Sequence, residues 1–530
     1  MPIFRSTLAA AASALVAVGL LVAPVQTDAA RAATTSAPAA PTTAAAGTTS
    51  VTVTPAGQGV VGLGDDLALS ITVTNDTDTA LPAGTAAIDL IRPLVGTRAI
   101  LDDWLEDTTA DGYRGSAIDT VAVPEVPAHR SVTVSAVSVD ADALHLGTLN
   151  PFGARRIAAA YSAGKTFAVG RSAFTWAPTN DRAPVDVAVA MPITVPASDS
   201  GLLTASALAA ATAVDGTLTN QLDAAEGHNV ALGIDPRIIA SIRVLGDDAP
   251  SSAVSWLGRL EGLRNEKFPL AWADADVVGL HQAGADQVLA PVSLDQAVEP
   301  ERFPDATTPP RTPTPTPTDR PEPTDAAVPD ATPTDAGTPT AEPGEADGVP
   351  TDDAAPTDAA TTTTLPTTQS LLDFPYTSTT IAWPTSGTVA ADDLPALRAG
   401  GTRSTILASG NTSAGADTTV AASERIGADQ ALVADQSMSE LLDTAATTGD
   451  STARARALSR LTATLATASV QGTATGPVLL TLDRSWPTDS TRLDQVLDAL
   501  EVTPWVSPTD LSTVVDATPG SLTLQAGSED

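Results

Sequence analysis

At 530 residues with 43% hydrophobic side chains, the chain is long enough to bury the cores of two or three globular domains. Its net charge of -36 and pI near 4.1 exclude a nucleic-acid binder, because neutralising phosphates needs clustered Lys and Arg, and Lys165 and Lys267 are its only lysines. The absence of cysteine excludes a disulfide framework, a lipid anchor on a thiol and a thiol nucleophile, so the fold stands on its core alone.

The chain opens with Arg5, an unbroken run of small and apolar residues from Leu8 to Val22, and Ala30-Arg31-Ala32. A basic start, a short apolar run and a small-x-small triplet predict a signal sequence over residues 1–32, cleaved after Ala32. The run is 15 residues long and rich in Ala, short of the ~20 that a bilayer core needs. The protein is therefore expected outside the cytoplasm, secreted or in the cell envelope. Residues 33–49 are almost wholly Ala, Thr, Pro, Ser and Gly, too poor in apolar surface to order themselves, and are expected to be a disordered spacer.

From Ser50 the pattern has a period of two. Val51 and Val53, then Leu67, Leu69, Ile71 and Val73, alternate with small polar residues, which puts one face of a strand inward. Further strands are expected at Ala87 to Ile91, Val132 to Val139, Arg156 to Tyr161 and Lys165 to Phe174, with Trp104 on a short helix near Arg98 to Glu106. Strands without long intervening helices predict an immunoglobulin-like β-sandwich over residues 50–182.

After Pro184 short apolar strands alternate with amphipathic segments. Strands are expected at Val185 to Met191, Asn229 to Ile234, Phe268 to Trp272, Thr379 to Ala382, Ser404 to Leu407, Ala431 to Ala434 and Pro477 to Leu482. Helices are expected at Arg237 to Val244, Ala253 to Arg264, Asp276 to Ala283, Met438 to Ala445, Ala453 to Ala468 and Arg492 to Leu500. That rhythm predicts a parallel sheet with right-handed crossovers, favouring a (β/α)7-8 barrel over an open doubly wound sheet. The barrel occupies residues 183–303 and 371–516, followed by a polar tail over 517–530. Residues 304–370 interrupt it with a Thr-Pro repeat and twelve acidic side chains against Arg311 and Arg320. Such a segment is expected to be extended and disordered, an insertion in a βα loop whose composition also permits glycosylation or a tether role.

In a parallel barrel the chemistry sits at the carboxyl ends of the strands. Asp235, Asp435 and Asp483 close their strands, and Asp274 and Asp276 follow another, so acids are expected around a common mouth. Two such carboxylates could act on a glycosidic bond as acid and as nucleophile or base. Asp235 and Asp435 each precede a helix, and Asp276 starts one, which also suits them as N-caps. Trp272, Trp383 and Trp486 stand near strand ends, where they could stack on a sugar ring or simply fill the rim. Of the four histidines, His129 and His145 fall in the sandwich, and neither His228 nor His281 in the barrel has a partner at helical spacing, so no metal and no cofactor is expected. No Gly-x-Ser-x-Gly elbow is present.

Residues 185–515 resemble a group of actinobacterial secreted envelope proteins of unknown function (DUF6049-like), often encoded beside the lipid II flippase. The resembling pieces, in order, are Ala231-Leu232-Gly233-Ile234-Asp235-Pro236, Trp256-Leu257-Gly258-Arg259-Leu260, Ala273-Asp274-Ala275-Asp276-Val277, Ile381-Ala382-Trp383-Pro384, Leu432-Val433-Ala434-Asp435, Arg484-Ser485-Trp486 and Pro504-Trp505-Val506. The resemblance implies an envelope location and a barrel distantly similar to those of polysaccharide deacetylases and family 57 glycosidases, with no established activity. Such proteins usually continue into another β domain and a membrane helix, whereas this sequence stops at Gly527-Ser528-Glu529-Asp530, which leaves membrane contact and truncation open. Two functions follow as expectations. The first is a non-catalytic factor that binds a cell-wall glycan or an envelope protein through the barrel mouth; the alternative is a glycan hydrolase using Asp235 with Asp435 or Asp483.

Overall fold

A computed structural model describes residues 47–109, 115–179, 184–196, 201–286, 291–304, 364–385, 387–472, 476–484 and 489–525. The expected signal sequence, most of the spacer and residues 305–363 of the expected insertion lie outside them.

The N-terminal part comprises β1 (Thr49–Pro55), β2 (Val60–Gly62), β3 (Leu67–Asn75), β4 (Gly84–Ile91), α1 (Arg98–Glu106), β5 (Ser116–Val123), β6 (Arg130–Val139), α2 (Ala141–Leu144), β7 (Gly153–Ala163) and β8 (Thr166–Ala177). They form two sheets, ordered β1-β3-β6 and β2-β8-β7-β4-β5. The alternating residues Leu67, Leu69, Ile71 and Val73 all point into one core, shared with Ile88, Tyr161, Phe174 and Trp176 of the other sheet. Burying alternate side chains of both sheets is what selects the register. Strands β2 and β5 were not legible in the sequence: β2 is three residues long, and β5 lies at a sheet edge with a largely exposed face.

The second part runs through β9 (Val185–Ile193), α3 (Ala205–Ala211), α4 (Thr217–Ala225), β10 (Ala231–Ile234), α5 (Pro236–Val244), α6 (Ser251–Gly262), β11 (Lys267–Pro269), α7 (Val277–Gln282), α8 (Thr368–Leu372), β12 (Ile381–Ala382), α9 (Asp393–Ala399), β13 (Ser404–Ala408), β14 (Ser423–Ile426), β15 (Asp429–Ala434), α10 (Gln436–Thr447), α11 (Ser451–Gln471), β16 (Val478–Thr481), α12 (Ser490–Glu501), β17 (Val506–Pro508), α13 (Leu511–Asp516) and β18 (Gly520–Ser521). Its parallel strands follow the order β11-β10-β9-β16-β15-β13-β12, which is chain order read around a ring. The ring nearly closes between β11 and the approach to β12, where Lys267 N–H donates to Thr377 Oγ1 and its carbonyl accepts from Thr377 and Ser378 N–H at 2.8–3.2 Å. The arrangement is a nearly closed parallel barrel, not an open doubly wound sheet.

Both faces of these strands are buried, which explains their continuous apolar runs. Val187, Val189 and Met191 of β9 face outward to the helices, while Ala188 and Ala190 face inward. Ala188, Ala190 and Ala231 leave room inside the barrel for the rings of Phe268 and Trp383, whose centroids stand 6.2 Å apart. Gly233 belongs to the same constraint, since a Cβ there would lie 2.9 Å from Leu270 Cδ2 and 3.0 Å from the tip of Phe268. Leu511 and Val514 of α13 join this interior cluster.

Besides elements that the sequence reading did not anticipate, three features depart from it. The strand expected at Phe268 to Trp272 ends at Pro269, and Trp272–Asp274 is a 3-10 turn. Helix α8 begins at Thr368, inside the interval expected to be insertion, because a Thr367–Ser370 capping box starts it and Leu371 buries against the barrel core. Residues 517–525 of the expected tail run along the barrel, with β18 pairing β14 and Leu524 bridging Thr412.

The N-terminal sheets and the barrel meet along α11. Ser459 Oγ donates to the Ala173 carbonyl at 2.8 Å, Thr462 Oγ1 to that of Gln58 at 2.6 Å, and Phe152 packs edge-on against Trp505 at 5.0 Å. Gly233→Ala is expected to destabilise the protein by about 1–3 kcal/mol through overpacking of Phe268, measured as a lowered urea midpoint.

Candidate functional site

The strand ends bring the candidate acids to one rim, but they differ in what they can do. Asp235 is fully buried and caps α5: Oδ1 accepts the N–H groups of Arg237 and Ala273 at 2.9 Å, and Oδ2 meets Arg237 Nε at 3.2 Å. Asp435, also fully buried, caps α10 through Met438 N–H at 3.0 Å, and its Oδ2 meets Arg98 Nη1 at 2.6 Å. Burial raises both carboxyls above the usual range, against the lowering effect of Arg237 on one and Arg98 on the other. All four carboxylate oxygens of these two residues are thus engaged, each Oδ1 on the start of a helix and each Oδ2 on an arginine. Asp276 caps α7 through Gly279 N–H at 2.9 Å, and its side chain faces solvent.

Asp483 and Trp383 instead line a cavity of about 410 Å³ at the mouth, together with Gln436, Glu440, Asp443 and Arg484. Asp274 holds Arg484 at 3.2 Å from the side, and Arg484 donates to the Trp383 carbonyl at 2.5 Å while its guanidinium lies 4.6 Å over the Trp383 ring. Trp383 is 6% exposed and carries that guanidinium on one face, so it shapes the wall and is not an open stacking platform. Trp272 is half-buried against the outer helical core and does not line the cavity. Trp486 lies outside the described residues.

Asp443 is the residue that sequence reasoning missed. It sits on α10, half-buried, with a backbone hydrogen bond to Asp483 and with Oδ1 buried and without a hydrogen-bond partner. Burial lifts its carboxyl above the usual range, and the charge of Asp483 pushes the same way. A signal for it existed: Glu440 and Asp443 stand three residues apart, about one turn from each other on the helix that Asp435 starts. Arg98 had no comparable signal, because it arrives from α1 among the N-terminal sheets, 337 residues away in sequence. Nor does Trp-Ala-Asp announce that Ala273 and Asp274 both take positive φ (58° and 48°), the turn in which Ala273 N–H meets Asp235 and Asp274 meets Arg484.

A larger hollow of about 790 Å³ opens between β1, β8 and α11, and two of its three arginines, Arg171 and Arg460, are tied to Asp107 and to Asp102. It lies away from the strand ends. Among the described residues, one group of histidine and carboxylates could hold a metal, and it involves none of the residues lining the mouth.

The fold and the mouth define a protein of two largely antiparallel sheets joined to a nearly closed parallel barrel with an acid-lined cavity at the strand ends. The chain belongs to the family of unknown function DUF6049, whose model matches residues 4–528. No curated protein matches it. It is similar to a β-glucosidase from Erythrobacter marinus at 11% identity, over 25% of this chain and 16% of that one, with a TM-score of 0.17. A β-glucosidase from Listeria innocua in complex with glucose matches at 16% identity, over 24% and 16% of the two chains, with a TM-score of 0.16. A family 123 glycoside hydrolase from Clostridium perfringens matches at 7% identity over 35% and 38%, with a TM-score of 0.12. The chain spans about a sixth of the length of the two β-glucosidases, and likenesses this partial carry no argument about activity.

Arg98→Ala is expected to cost about 3–5 kcal/mol at neutral pH, because it leaves the Asp435 charge buried without a partner. A carboxyl whose folded pKa is raised favours the folded state below its unfolded pKa and loses that contribution as pH rises through the folded value. The deficit of the variant, measured by urea unfolding, should therefore shrink as pH is lowered into the range where Asp435 is protonated.

Proposed function

We propose that this is an extracytoplasmic cell-envelope protein that binds a cell-wall glycan at the barrel mouth without cleaving it. The observation that carries the reading is the division among the strand-end acids. Asp235 and Asp435 are used up as helix caps and ion-pair partners, whereas Asp483, with Glu440 and Asp443, lines a cavity within the ~300–1,000 Å³ range of small-molecule sites. Carboxylates, the Gln436 amide and the hydroxyls of Thr444 and Thr481 offer the acceptors and donors that a polyhydroxylated ring needs. The basic and apolar start of the chain supports export.

The N-terminal sheets are read as immunoglobulin-like. Their orders, β1-β3-β6 facing β8-β7-β4 with β5 beyond β4, support that reading, since they follow the A-B-E and G-F-C arrangement of such sandwiches. A second function has one observation in its favour: a carboxyl raised by burial beside a second carboxylate, Asp443 beside Asp483, is the pairing that acid–base cleavage of a glycosidic bond uses.

Sedimentation with insoluble peptidoglycan tests the binding reading. Wild-type protein should co-sediment, and Asp483→Asn or Glu440→Gln should each weaken retention about tenfold, as expected for loss of a hydrogen bond to a charged group worth ~1.5–3 kcal/mol. Retention unchanged in both variants would sink it. Release of new reducing ends by wild-type protein, abolished in Asp443→Asn, would favour the hydrolase instead.

A further inference from the structure

At the end of the barrel away from the mouth, the segment leading into β10 carries His228, a buried residue of an otherwise exposed turn. Its backbone is pinned by Asn265, whose Nδ2 donates to the carbonyls of His228 at 3.0 Å and Val230 at 2.9 Å. The ring faces the last two turns of α12. Nδ1 lies 3.1 Å from Glu501 Oε1, and Nε2 lies 3.1 Å from Asp494 Oδ1. Asp498 completes the group: one ligand atom each from His228, Asp498 and Glu501 lie within 4.8 Å of one another.

We infer that His228, Asp498 and Glu501 form a binding site for a divalent transition metal of the zinc class, with Asp494 orienting the imidazole. Three physical points support it. Asp494, Asp498 and Glu501 stand at i, i+4 and i+7 on one face of α12, where like charges repel, and they do so at the helix C-terminus, whose dipole disfavours anions. The last turn contains no basic residue, among the described residues no Lys or Arg pairs with any of the three, and the basic side chain that does meet them, His228, reaches only Asp494 and Glu501. A bound cation would relieve that repulsion.

The second point is ligand chemistry. One imidazole with carboxylates is a set for zinc, nickel or cobalt, whereas calcium and magnesium prefer oxygen alone. A carboxylate on the other ring nitrogen is the usual outer partner of a metal-bound histidine, and Asp494 occupies that place. The third point is reach. Metal bonds of ~2.0–2.2 Å set tetrahedral ligands roughly 3.4 Å apart. Glu501 and His228 already stand at 3.1 Å, and Asp498 is exposed and free to swing inward. The ion would fasten α12 to the entry of β10, a cross-link that a chain without cysteine cannot make by a disulfide.

Metal-free full-length protein titrated calorimetrically with zinc chloride should show one saturable site. The exposed pair Asp498→Asn/Glu501→Gln should weaken it at least tenfold, and Asp494→Asn about 10- to 100-fold. Glu125→Gln, an exposed acid in the sandwich, should leave it unchanged. Because removing the buried His228 also removes packing, involvement of the ring is read in the unsubstituted protein, where zinc should shift the resonances of one histidine. Overturning results are zinc binding with no saturable site, equal affinity in the Asp498/Glu501 variant, or saturation that leaves every histidine resonance in place.

Discussion

The ion pair between Arg98 and Asp435, 2.6 Å long and shut off from water, joins the two halves of the molecule at the place where each needs the other. Asp435 ends β15 and begins α10, so its carboxylate sets where that helix starts, and the guanidinium that neutralises it comes from the helix between β4 and β5. Asp102 extends the pair by holding Arg98 at 3.3 Å and Arg460 of α11 at 3.1 Å. A buried pair of this kind contributes little net stability against an apolar alternative, but losing either partner is costly, which makes it a device for fixing geometry. What it fixes is α10, the helix that presents Gln436, Ser439, Glu440 and Asp443 to the mouth.

The barrel interior imposes the second constraint. Small side chains on β9 and β10 make a space that Phe268 and Trp383 fill, so the interior is a packed core and the accessible chemistry is confined to its upper rim. Trp383 serves both levels, its ring in the core and its carbonyl and face holding Arg484. Arg484 in turn is fixed by Asp274, so the cavity wall is preorganised in part by a carboxylate that does not itself line the space.

The most legible parts of this protein were those governed by period. The alternation in β3, the doubly buried runs of β9, β13 and β15, and the amphipathic stretches that became α5, α6, α10, α11 and α12 all follow from which side chains must leave water. Edge strands such as β5 and short ones such as β2 bury too little to leave a pattern. The acids at the strand ends were legible as a group, and capping was legible for Asp235, Asp435 and Asp276, because a carboxylate before a helix has a local reason to be there.

Which acid faces the cavity was not local. Asp235 and Asp483 look alike in sequence, each following a short apolar strand, yet one is enclosed by Arg237 and Ala273 while the other lines the open mouth beside Asp443. The difference depends on what packs from elsewhere in the chain, as does the meeting of Arg98 with Asp435 and of His228 with α12. The sequence by itself determined the alternation of buried and exposed positions, and with it most of the longer elements and the order of an all-β part before a parallel barrel, because hydrophobic burial is read from neighbours a few residues apart. Only the tertiary structure decided the full set of partners of each charged group, because a carboxylate's role is set by the charges and donors within a few ångströms, and in this fold several of those, such as Arg98 at Asp435 and Arg484 at Asp274, come from hundreds of residues away.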